Sequence, residues 1–384
     1  MHIVYLTSWY PQNDKDLNGC FFREQAHALA KAGNKVGVIA PQFRSLRLGK
    51  KAVVGSYGEE IWQDDLVITF FGHNVFWFPK VPYLDLNRWT TCCLKLFESY
   101  VKKKGKPDII HVQSMTLAGA AALEIHKKYK IPFCIMEHSS TFARGLVSHW
   151  HYKVLMPVIK ASAYNMAVSQ DLADLLNKQF SVDDWHYFPN LLDKLFSDKN
   201  DTIHVVNKQF CAVGGLVPIK GFDLLIKAFA ALYKDDPECT LIIAGEGGER
   251  KNLQQLAASL GVSQAVQFLG AISREQVKGL MASSCCYMLS SHIETFGVVV
   301  IEALSQGTPV ISTRCGGPES ILTLEDGVFV PINSVEAMAD AMIYIINNEH
   351  NYDREQIRQR CLAEFSEAAF IKGMVEIYQS FIDK

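Results

Sequence analysis

Short apolar runs alternate along the chain with longer segments in which apolar residues recur at helical spacing. Runs such as "HIVYLT", "KVGVIAP" and "PFCIM" are 4–8 residues long and rich in β-branched or aromatic residues, which is typical of buried strands. Between the first two lies "FFREQAHALAKAG", where Phe22, Ala26 and Leu29 share one helical face. Regular alternation of strands with helices predicts an α/β fold with a parallel, doubly wound sheet.

The pattern is interrupted around residues 189–202, which are polar and rich in turn-forming residues. A second alternating series follows, with strands predicted at "QFCAVGG", "TLIIAG", "VQFLG" and "CCYMLS", and the chain after Ser334 is mostly helical by pattern. We therefore predict a first domain over 1–190, a linker over 191–202 and a second domain over 203–365. A last helix over 366–384 would pack back on the first domain.

The composition and net charge of the chain restrict the partners that we expect. The chain has 384 residues, of which 49% are hydrophobic, and its net charge of −2 gives no sign of a nucleic-acid partner. An excess of basic residues in the first half and of acidic residues in the second is compatible with two domains that meet different partners, or with chance variation of the surface.

The cysteines and the apolar runs indicate where in the cell the protein is expected. The ten cysteines include no CxxC pair and lie mostly in apolar runs, so we expect reduced core residues of a cytoplasmic protein. We see no signal peptide at the N-terminus and no apolar stretch near the ~20 residues that span a bilayer, so any membrane contact should be peripheral.

The segment "HIETFGVVVIEALSQGTPVIST" places Glu294 and Glu302 in an otherwise apolar stretch. Its β-branched residues favour a strand, but a helix from Thr295 or Phe296 to Gly307 is also compatible with the pattern. In the helical version Glu294 lies just before the helix and Glu302 two turns into it. The N–H groups near Phe296 would then face an anion, flanked by two carboxylates that can bind hydroxyls.

The segment "AVGGLVPIKGFDLLI" offers a second anion site. A predicted strand ends at Gly214 and Gly215, and Lys220 comes just before a predicted helix, so backbone N–H groups, a helix dipole and an ammonium could meet a phosphate. The segment lacks the GxxxxGK[ST] motif of a P-loop. A plain strand–turn–helix with a solvated lysine is the alternative interpretation.

A nicotinamide dinucleotide site is not expected in "AGEGGER". Gly245 and Gly247 match the start of GxGxxG, but the third glycine is replaced by Arg250. The acidic residue expected about 20 residues later, which binds the ribose, is also absent. A sharp strand-to-helix turn explains this segment better than a dehydrogenase site does.

These motifs together resemble the retaining glycosyltransferases of family 4, which have the GT-B fold of two Rossmann-like domains facing across a cleft. Glu294 and Glu302 form the E-x7-E pattern of that family, and "VGGLVPIKGFDLLI", "AGEG" and "GGPESI" occur in the family's order and spacing. The first half is also similar, through "NGCFFREQAHALAKAG", "DIIHVQS", "MEHSS" and "FPNLLDKLF". The resemblance covers nearly the whole chain.

The resemblance implies a role for each matched residue. Glu302 should accept hydrogen bonds from the ribose of a nucleotide-diphosphate sugar, Glu294 should bind the transferred sugar, and Lys220 should neutralise the leaving phosphate. Gly19 matches a glycine that lets the diphosphate approach, and His138 matches a histidine near the reacting centre; a satisfied histidine at a strand end is the alternative. The catalytic set is His138, Lys220 and Glu294. The expected donor-binding set is Gly19, Gly214, Gly215, Lys220, Glu294, Thr295, Phe296, Gly297, Val298 and Glu302.

One departure from the family's pattern is Gly215, where the family usually has an arginine that clamps the phosphates together with the lysine. Arg144 and Arg314 are candidates to replace it. The departure leaves two alternatives to a transferase: a GT-B binding subunit with weak or no catalysis, and a nucleotide-sugar epimerase of the same fold. For the transferase we expect no metal and no cofactor beyond the nucleotide sugar.

The acceptor is less defined by the sequence. Residues 69–106 combine a basic cluster, Lys102, Lys103, Lys104 and Lys106, with nine aromatic residues, among them Phe70, Phe71, Phe76, Trp77, Phe78 and Trp89. Such a mixture suits a membrane interface, and with it a lipid-linked or glycan acceptor of cell-surface polysaccharide synthesis. A core helix followed by a solvated lysine loop is the alternative interpretation.

Overall fold

A computed structural model of the chain describes residues 1–14, 16, 18–49, 52, 58–78, 80–198 and 204–382. The chain forms two compact units. The first comprises Met1–Val168, Ala173–Leu191 and Phe370–Lys384, and the second comprises Ser169–Leu172 and Leu192–Ala369. The assignment of Ser169–Leu172 to the second unit was not anticipated from the sequence. Of the predicted linker, residues 199–202 lie outside the described part of the chain.

The helices are as follows: α1 Cys20–Lys31, α2 Pro82–Lys104, α3 Met115–Tyr129, α4 His149–Ala161, α5 Gln170–Phe180, α6 Lys194–Ser197, α7 Phe222–Asp235, α8 Arg250–Ser259, α9 Arg274–Ser283, α10 Val298–Ser305, α11 Val335–Asn347, α12 Arg354–Phe365 and α13 Glu367–Ile382. Short 3₁₀ turns at Pro218–Lys220 and Gly317–Ser320 also bear on the site.

The first unit contains an eight-stranded sheet in the order β3-β4-β2-β1-β5-β6-β7-β8. Its strands are β1 His2–Thr7, β2 Lys35–Ser45, β3 Gly58–Asp64, β4 Val67–Phe76, β5 Ile109–Gln113, β6 Phe133–Glu137, β7 Tyr164–Ala167 and β8 Trp185–Tyr187. All neighbours pair in parallel except β3, which is antiparallel to β4. The chain order reverses direction between β1 and β5, and in such sheets ligands bind beyond the carboxyl ends of the strands at that point.

The second unit contains a six-stranded, all-parallel sheet in the order β11-β10-β9-β12-β13-β14. Its strands are β9 Val206–Val213, β10 Thr240–Ala244, β11 Val266–Gly270, β12 Ser284–Leu289, β13 Val310–Thr313 and β14 Gly327–Val330. Renumbered from β9, this order is the 3-2-1-4-5-6 of a Rossmann fold, with its switch point between β9 and β12. The predicted fold class, two doubly wound Rossmann-like domains, is thereby confirmed.

The ambiguous segment after Glu294 is helical, but it starts later than predicted. Gly297 has a left-handed backbone (φ 94°), so α10 begins at Val298 and not at Thr295 or Phe296. Glu302 is therefore the fifth residue of the helix, little more than one turn from its start. Val300 and Ile301 are fully buried in this helix, and that burial outweighs the few tenths of a kcal/mol by which β-branched residues disfavour a helix.

The aromatic residues of the first unit do not form one surface. Phe70, Phe71 and Trp89 are buried in the core, so the prediction that they meet a membrane is wrong; Trp77 and Phe78 are exposed. The buried residues belong to β4 and α2, which are core elements of the first unit, whereas Trp77 and Phe78 lie in the segment between β4 and α2. No helix within the described ranges has both the length and the apolar character to cross a bilayer. All ten cysteines are free thiols, and eight of them are buried.

Gly327, at the start of the edge strand β14, offers a test of this packing. A Cβ atom at Gly327 would lie 1.8 Å from the carbonyl oxygen of Val310 in β13, so Gly327→Ala must push the two strands apart. We expect urea denaturation to show a loss of about 1–3 kcal/mol in the free energy of unfolding. Gly248→Ala in the same unit is the control, because a Cβ there meets no atom within 4 Å. Equal stability of the two variants would contradict the close contact between β13 and β14.

Candidate active site

The loops that follow β9 and β12 lie directly against each other at the carboxyl edge of the second sheet. The amide of His292 donates to the carbonyl of Ile219 at 2.8 Å, and the hydroxyl of Ser290 donates to the carbonyl of Lys220 at 2.9 Å. Gly221 allows this approach, because a Cβ there would lie 2.1 Å from the carbonyl oxygen of Ser290. Its φ of 61° also suits glycine. The backbones of Ile219–Gly221 and Ser290–His292 are thus fixed against each other at the switch point, and we call these two segments the platform.

This platform brings together Lys220 and Glu294, two residues that the sequence singled out separately. The Lys220 ammonium lies 2.5 Å from Oε1 of Glu294, and Ser291 donates its hydroxyl to the same oxygen at 2.7 Å. Both side chains are partly accessible to solvent. A pair of this kind can present an ammonium to a phosphate and a carboxylate to sugar hydroxyls at adjacent positions.

The "GGPES" segment holds the backbone around Glu294. The Glu294 amide donates to the carbonyl of Cys315 at 2.9 Å, and the Gly317 amide donates to the carbonyl of Glu294 at 2.8 Å. A Cβ at Gly317 would lie 2.3 Å from the Phe296 nitrogen, so only glycine permits this contact. The Phe296 side chain is buried against Phe365, and it can therefore serve a ligand only through its backbone.

The start of α10 lies in the segment where an anion-binding element was expected. Thr295 and Val298 are partly exposed, whereas Gly297 is buried. The first N–H groups of a helix have no partner within the helix and carry partial positive charge. This end of α10 lies a few residues after Glu294 in the chain. Its N–H groups can therefore bind an anionic group.

Glu302 is buried in α10 and pairs with Arg274 of α9. The Arg274 guanidinium lies 2.9 Å from Glu302 and 3.0 Å from Asp193, so one cation is shared between two carboxylates. Burial raises the pKa of Glu302 from 4.5 to about 7; Arg274 opposes this rise, and the charge of Asp193 adds to it. Neither Arg274 nor Asp193 was identified from the sequence. The only available signal was Asp193 within the family-like "FPNLLDKLF".

Gly214 and Gly215 occupy the loop after β9, where two glycine-rich segments meet. The Gly214 amide donates to the Ala244 carbonyl at 3.0 Å, and a Cβ at Gly245 would lie 1.9 Å from the Gly214 carbonyl oxygen. At Gly215, by contrast, the nearest atom to a Cβ is the carbonyl oxygen of Glu246, 4.0 Å away. There is space at residue 215 for a longer side chain, so the absence of arginine is not forced by packing.

The two predicted substitutes for that arginine lie in different units. Arg314 follows β13, pairs with Glu319 at 3.3 Å and lies over the ring of Phe329. Arg144 belongs to the first unit and is exposed. Arg274, which pairs with Glu302, is a cation among the candidate site residues of the second unit that the sequence did not identify.

In the first unit, Gly19 and His138 are brought together through the start of α1. Gly19 has a φ of 82°, and a Cβ there would lie 2.9 Å from the Trp9 ring. The rings of Phe21 and Phe22, which follow Gly19 closely in the chain, pack on the imidazole of His138 with centroids 5.2 and 4.9 Å away. Gly19 and His138 therefore belong to one local structure at the carboxyl edge of the first sheet.

The imidazole of His138 is the end of a buried chain of hydrogen bonds. Its Nε2 lies 2.7 Å from Oε1 of Gln113; Gln113 donates to Gln25 at 2.8 Å, and Gln25 donates to Asn190 at 3.0 Å. Burial lowers the pKa of His138 well below its ordinary value, so the ring is neutral and a weak base. The alternative interpretation of His138 as a satisfied histidine at a strand end describes its Nε2 correctly.

Glu137, the residue before His138, was not singled out from the sequence. Its fully buried carboxylate accepts hydrogen bonds from the amides of Met115, His138 and Ser139 at 2.8, 3.0 and 2.8 Å. Burial raises the pKa of Glu137 in spite of these three donors. One carboxylate thus fixes both the start of α3 and the backbone that carries His138.

Metal-ligating residues are not clustered in the part of the chain that the structure describes: no group of three or more His, Cys, Asp and Glu side chains there could hold a metal ion. The recognisable chemistry of the two units consists of carboxylates, cations, backbone amides and a neutral histidine. These are groups suited to hydroxyls and phosphates.

Two family models match consecutive parts of the chain. Residues 21–194 match the model described as Glycosyltransferase Family 4, and residues 195–361 match the model described as Glycosyl transferases group 1. Together the two matches account for nearly the whole chain.

Three relatives illustrate the sequence similarity. TuaC of Bacillus subtilis, named for teichuronic acid biosynthesis, is 25% identical over 378 residues, which are 93% of this chain and 90% of TuaC. The lipopolysaccharide core biosynthesis glycosyltransferase LpsE of Rhizobium meliloti is 34% identical over 44% of this chain and 49% of its own length. An uncharacterised glycosyltransferase of Haemophilus influenzae is 33% identical over 43% of this chain. The match spans about half the length of each of the last two relatives.

Solved structures show the same fold at low sequence identity. Sucrose-phosphate synthase from Thermosynechococcus elongatus superimposes with a TM-score of 0.79 at 19% identity and covers all of both chains. HepE from Anabaena in complex with UDP superimposes with a TM-score of 0.74 at 18% identity and covers 99% of this chain and 100% of its own.

The buried carboxyl of Glu302 makes stability depend on pH in a predictable direction. Its pKa in the folded protein, about 7, lies above its value in an unfolded chain, so stability falls as pH rises between about 4.5 and 7. Glu302→Gln removes this ionisation. Relative to the wild type, the variant should therefore gain of the order of 1–3 kcal/mol in the free energy of unfolding on going from pH 5 to pH 8.

Urea denaturation at the two pH values measures this gain. Glu336→Gln, which changes an exposed glutamate of α11 in the same unit, is the control and should show the same difference from wild type at both pH values. A pH-independent effect of Glu302→Gln would mean that Glu302 is already ionised at pH 5 in the folded protein.

Proposed function

Since this chain belongs to the family 4 glycosyltransferases and has the GT-B fold, we propose that it is a retaining enzyme that moves a sugar from a nucleotide-diphosphate donor to a glycan or lipid-linked acceptor. The observation that carries the proposal is the cluster of Lys220, Glu294 and the start of α10 at the switch point of the second sheet. In Rossmann-like sheets this is where nucleotides bind.

The proposed contacts divide the donor among the residues of the second unit. Glu294 binds hydroxyls of the transferred sugar, the backbone from Thr295 to Val298 binds the diphosphate, and Glu302 binds the ribose. Because the pKa of Glu302 is raised, ribose hydroxyls that donate to its ionised form favour loss of its proton. Arg274 keeps the charge of the buried carboxylate compensated when it forms.

In the proposed reaction the bond between the anomeric carbon and the diphosphate breaks, and the acceptor oxygen attacks from the same face. The leaving diphosphate takes the acceptor's proton, so no side chain has to act as base. This agrees with the low pKa of His138, whose neutral ring lies near the reacting centre in this proposal and does not act as a proton acceptor. Lys220 stabilises the negative charge that develops on the diphosphate, and no divalent cation takes part.

The acceptor is proposed from the relatives. TuaC is named for teichuronic acid biosynthesis and LpsE for the lipopolysaccharide core, both of which are cell-surface polysaccharides. We therefore propose a cytoplasmic enzyme of cell-surface polysaccharide biosynthesis, in peripheral contact with the membrane through its first unit.

A thermal-shift panel of nucleotides and nucleotide sugars, including UDP and UDP-glucose, tests donor binding, because a ligand that binds only the folded state raises the melting temperature. Product analysis by NMR with the best donor then gives the anomeric configuration, with and without EDTA. Retained configuration and EDTA-insensitive transfer support the proposal.

Other outcomes identify the alternatives. Donor binding without transfer would indicate a catalytically inactive binding subunit, for which Gly215 is the motivating residue. Conversion of the donor sugar without any acceptor would indicate an epimerase. A folded protein that no nucleotide sugar stabilises would refute the donor-site assignment itself.

Lys220→Ala should lower turnover by roughly one to three orders of magnitude, since it removes one charge-stabilising group from the transition state. Lys227→Ala is the matched control: Lys227 lies in α7 seven positions later and pairs only with Asp223 on the surface among the contacts described. Steady-state kinetics of the two variants measure the difference. Equal turnover in both would remove Lys220 from the mechanism.

A further inference from the structure

Gln113, the last residue of β5, holds the imidazole of His138 with a side chain that is itself fully buried. Its Oε1 atom lies 2.7 Å from Nε2 of His138. An amide oxygen has no hydrogen to donate, so this bond forms only if Nε2 carries the hydrogen. The contact therefore assigns the hydrogen of a neutral ring to one of its two nitrogens.

The orientation of the Gln113 amide is set by the next links of the buried chain of hydrogen bonds. Nε2 of Gln113 donates to Oε1 of Gln25 at 2.8 Å, and Nε2 of Gln25 donates to Oδ1 of Asn190 at 3.0 Å. Exchanging the oxygen and nitrogen of the Gln113 amide would bring its oxygen against that of Gln25, so Gln25 and then Asn190 would have to rotate as well. All three residues are buried, where an unpaired donor or acceptor is costly. The direction of the chain is therefore a property of three side chains together.

His111 supports the same orientation of Gln113 from a second direction. Nε2 of Gln113 also faces Nε2 of His111, at 3.5 Å, and Nδ1 of His111 lies 2.6 Å from the hydroxyl of Tyr378. Burial lowers the pKa of His111 to about 3, so this ring is neutral too. A neutral ring can accept at Nε2 from Gln113 and donate at Nδ1 to Tyr378, which agrees with an amide nitrogen of Gln113 on this side.

Nδ1 of His138 is then the nitrogen without a hydrogen. It is buried and has no hydrogen-bond partner among the residues that the structure describes. A buried acceptor that is left unpaired is uncommon in native proteins, and such atoms often belong to functional sites. An unprotonated ring nitrogen can accept a hydrogen bond from a hydroxyl or an N–H group, but it has nothing to donate to an ionised phosphate oxygen.

We propose that Gln113 is a positioning residue for the candidate site, which fixes His138 as the tautomer with its hydrogen on Nε2 and leaves Nδ1 able only to accept a hydrogen bond. The tautomer itself follows from the contacts within the first unit. One consequence rests on the proposed function: toward a nucleotide sugar, such a ring can meet a sugar hydroxyl but cannot stabilise the charge of the diphosphate.

Nitrogen-15 NMR of the histidine rings tests the tautomer in the full-length protein without any ligand, because a ring nitrogen that carries a hydrogen resonates well upfield of one that does not. At pH 8 we expect His138 to show its hydrogen on Nε2. The spectrum contains its own reference, since Nδ1 of His126 lies 2.9 Å from the carbonyl oxygen of Ile131 and should carry the hydrogen instead. His138→Gln and His126→Gln identify the two sets of signals.

Gln113→Leu removes the acceptor that faces Nε2 of His138. A buried hydrogen bond favours one tautomer roughly 5- to 150-fold, so the variant should lower the ratio of the Nε2–H form to the Nδ1–H form at least about fivefold. Gln179→Leu is the matched control, because Gln179 is a partly buried glutamine of the first unit that donates to the Phe142 carbonyl at 3.4 Å. It should leave the ratio unchanged.

Gln113→Glu separates positioning from packing, because it keeps the shape of the side chain and an oxygen that faces Nε2. Its negative charge favours the protonated ring, so the pKa of His138 should rise and the ring should gain a second hydrogen as the pH is lowered from 8 to 6. The wild-type ring should keep one hydrogen over this range. The other titratable neighbours are His111, which lowers the pKa of His138, and Glu137, whose carboxylate accepts from backbone amides.

Each contrary result is decisive. A wild-type His138 with its hydrogen on Nδ1, or an unchanged ratio in Gln113→Leu with the His126 signals and the melting temperature preserved, would overturn the proposal. If Gln113→Leu does not fold, Gln113→Glu decides alone: a His138 ring that titrates as in the wild type would mean that the side chain of residue 113 does not control it. Thermal shifts with UDP and UDP-glucose are measured separately, so a failure of the proposed function leaves the result on the tautomer intact.

Discussion

The close contact between two loop backbones at the switch point of the second sheet is the constraint on which the candidate site depends. Gly221 lies so close to Ser290 that no side chain fits between them, and the His292 amide closes the contact on the Ile219 carbonyl. Because the loops are joined backbone to backbone, Lys220 of one and Glu294 of the other are held at pairing distance.

Burial determines how the charges around this platform behave. Lys220 and Glu294 are partly accessible and neutralise each other, whereas Glu302 lies deeper and depends on Arg274 for compensation. Arg274 also pairs with Asp193, at the start of the short helix α6, so the carboxylate proposed for the ribose is linked to the segment that enters the second unit. Gly215 has space around it and no cation, which makes Lys220 the main positive side chain of this loop.

In the first unit, hydrogen bonds between buried side chains hold the candidate residues in place. In the second unit, close backbone contacts at glycines do this. His138 is fixed by a chain of buried amides through Gln113 and Gln25 to Asn190, and its backbone is fixed by Glu137. Each hydrogen bond in this chain favours the observed arrangement, since breaking it leaves a buried donor or acceptor unpaired at a cost of about 1–3 kcal/mol; Nδ1 of His138 is buried without a hydrogen-bond partner among the described residues. The neutral state of His138 follows from this burial, which lowers its pKa, and the neighbouring His111 lowers the pKa further.

Much of this could be predicted from the sequence, since strand–helix alternation is a local pattern and each motif is contiguous. The doubly wound fold was predicted in this way, and Lys220, Glu294 and Glu302 were each identified as candidate site residues. Periodicity could not decide between strand and helix after Glu294, because a short apolar run satisfies both; the left-handed Gly297 and the burial of Val300 and Ile301 decided it.

Only the tertiary structure decided which residues that are far apart in the chain become partners. Arg274 meets Glu302 and Asp193, Gln113 meets His138 and Gln25, and Asp85 holds Trp77 and Phe78 while Phe70, Phe71 and Trp89 turn into the core. Sequence spacing records which residues share a face of one helix or strand. Which faces meet, and how much water remains between them, depends on the packing of whole elements. The raised pKa of Glu302 and the exposure of Trp77 and Phe78 follow from that packing.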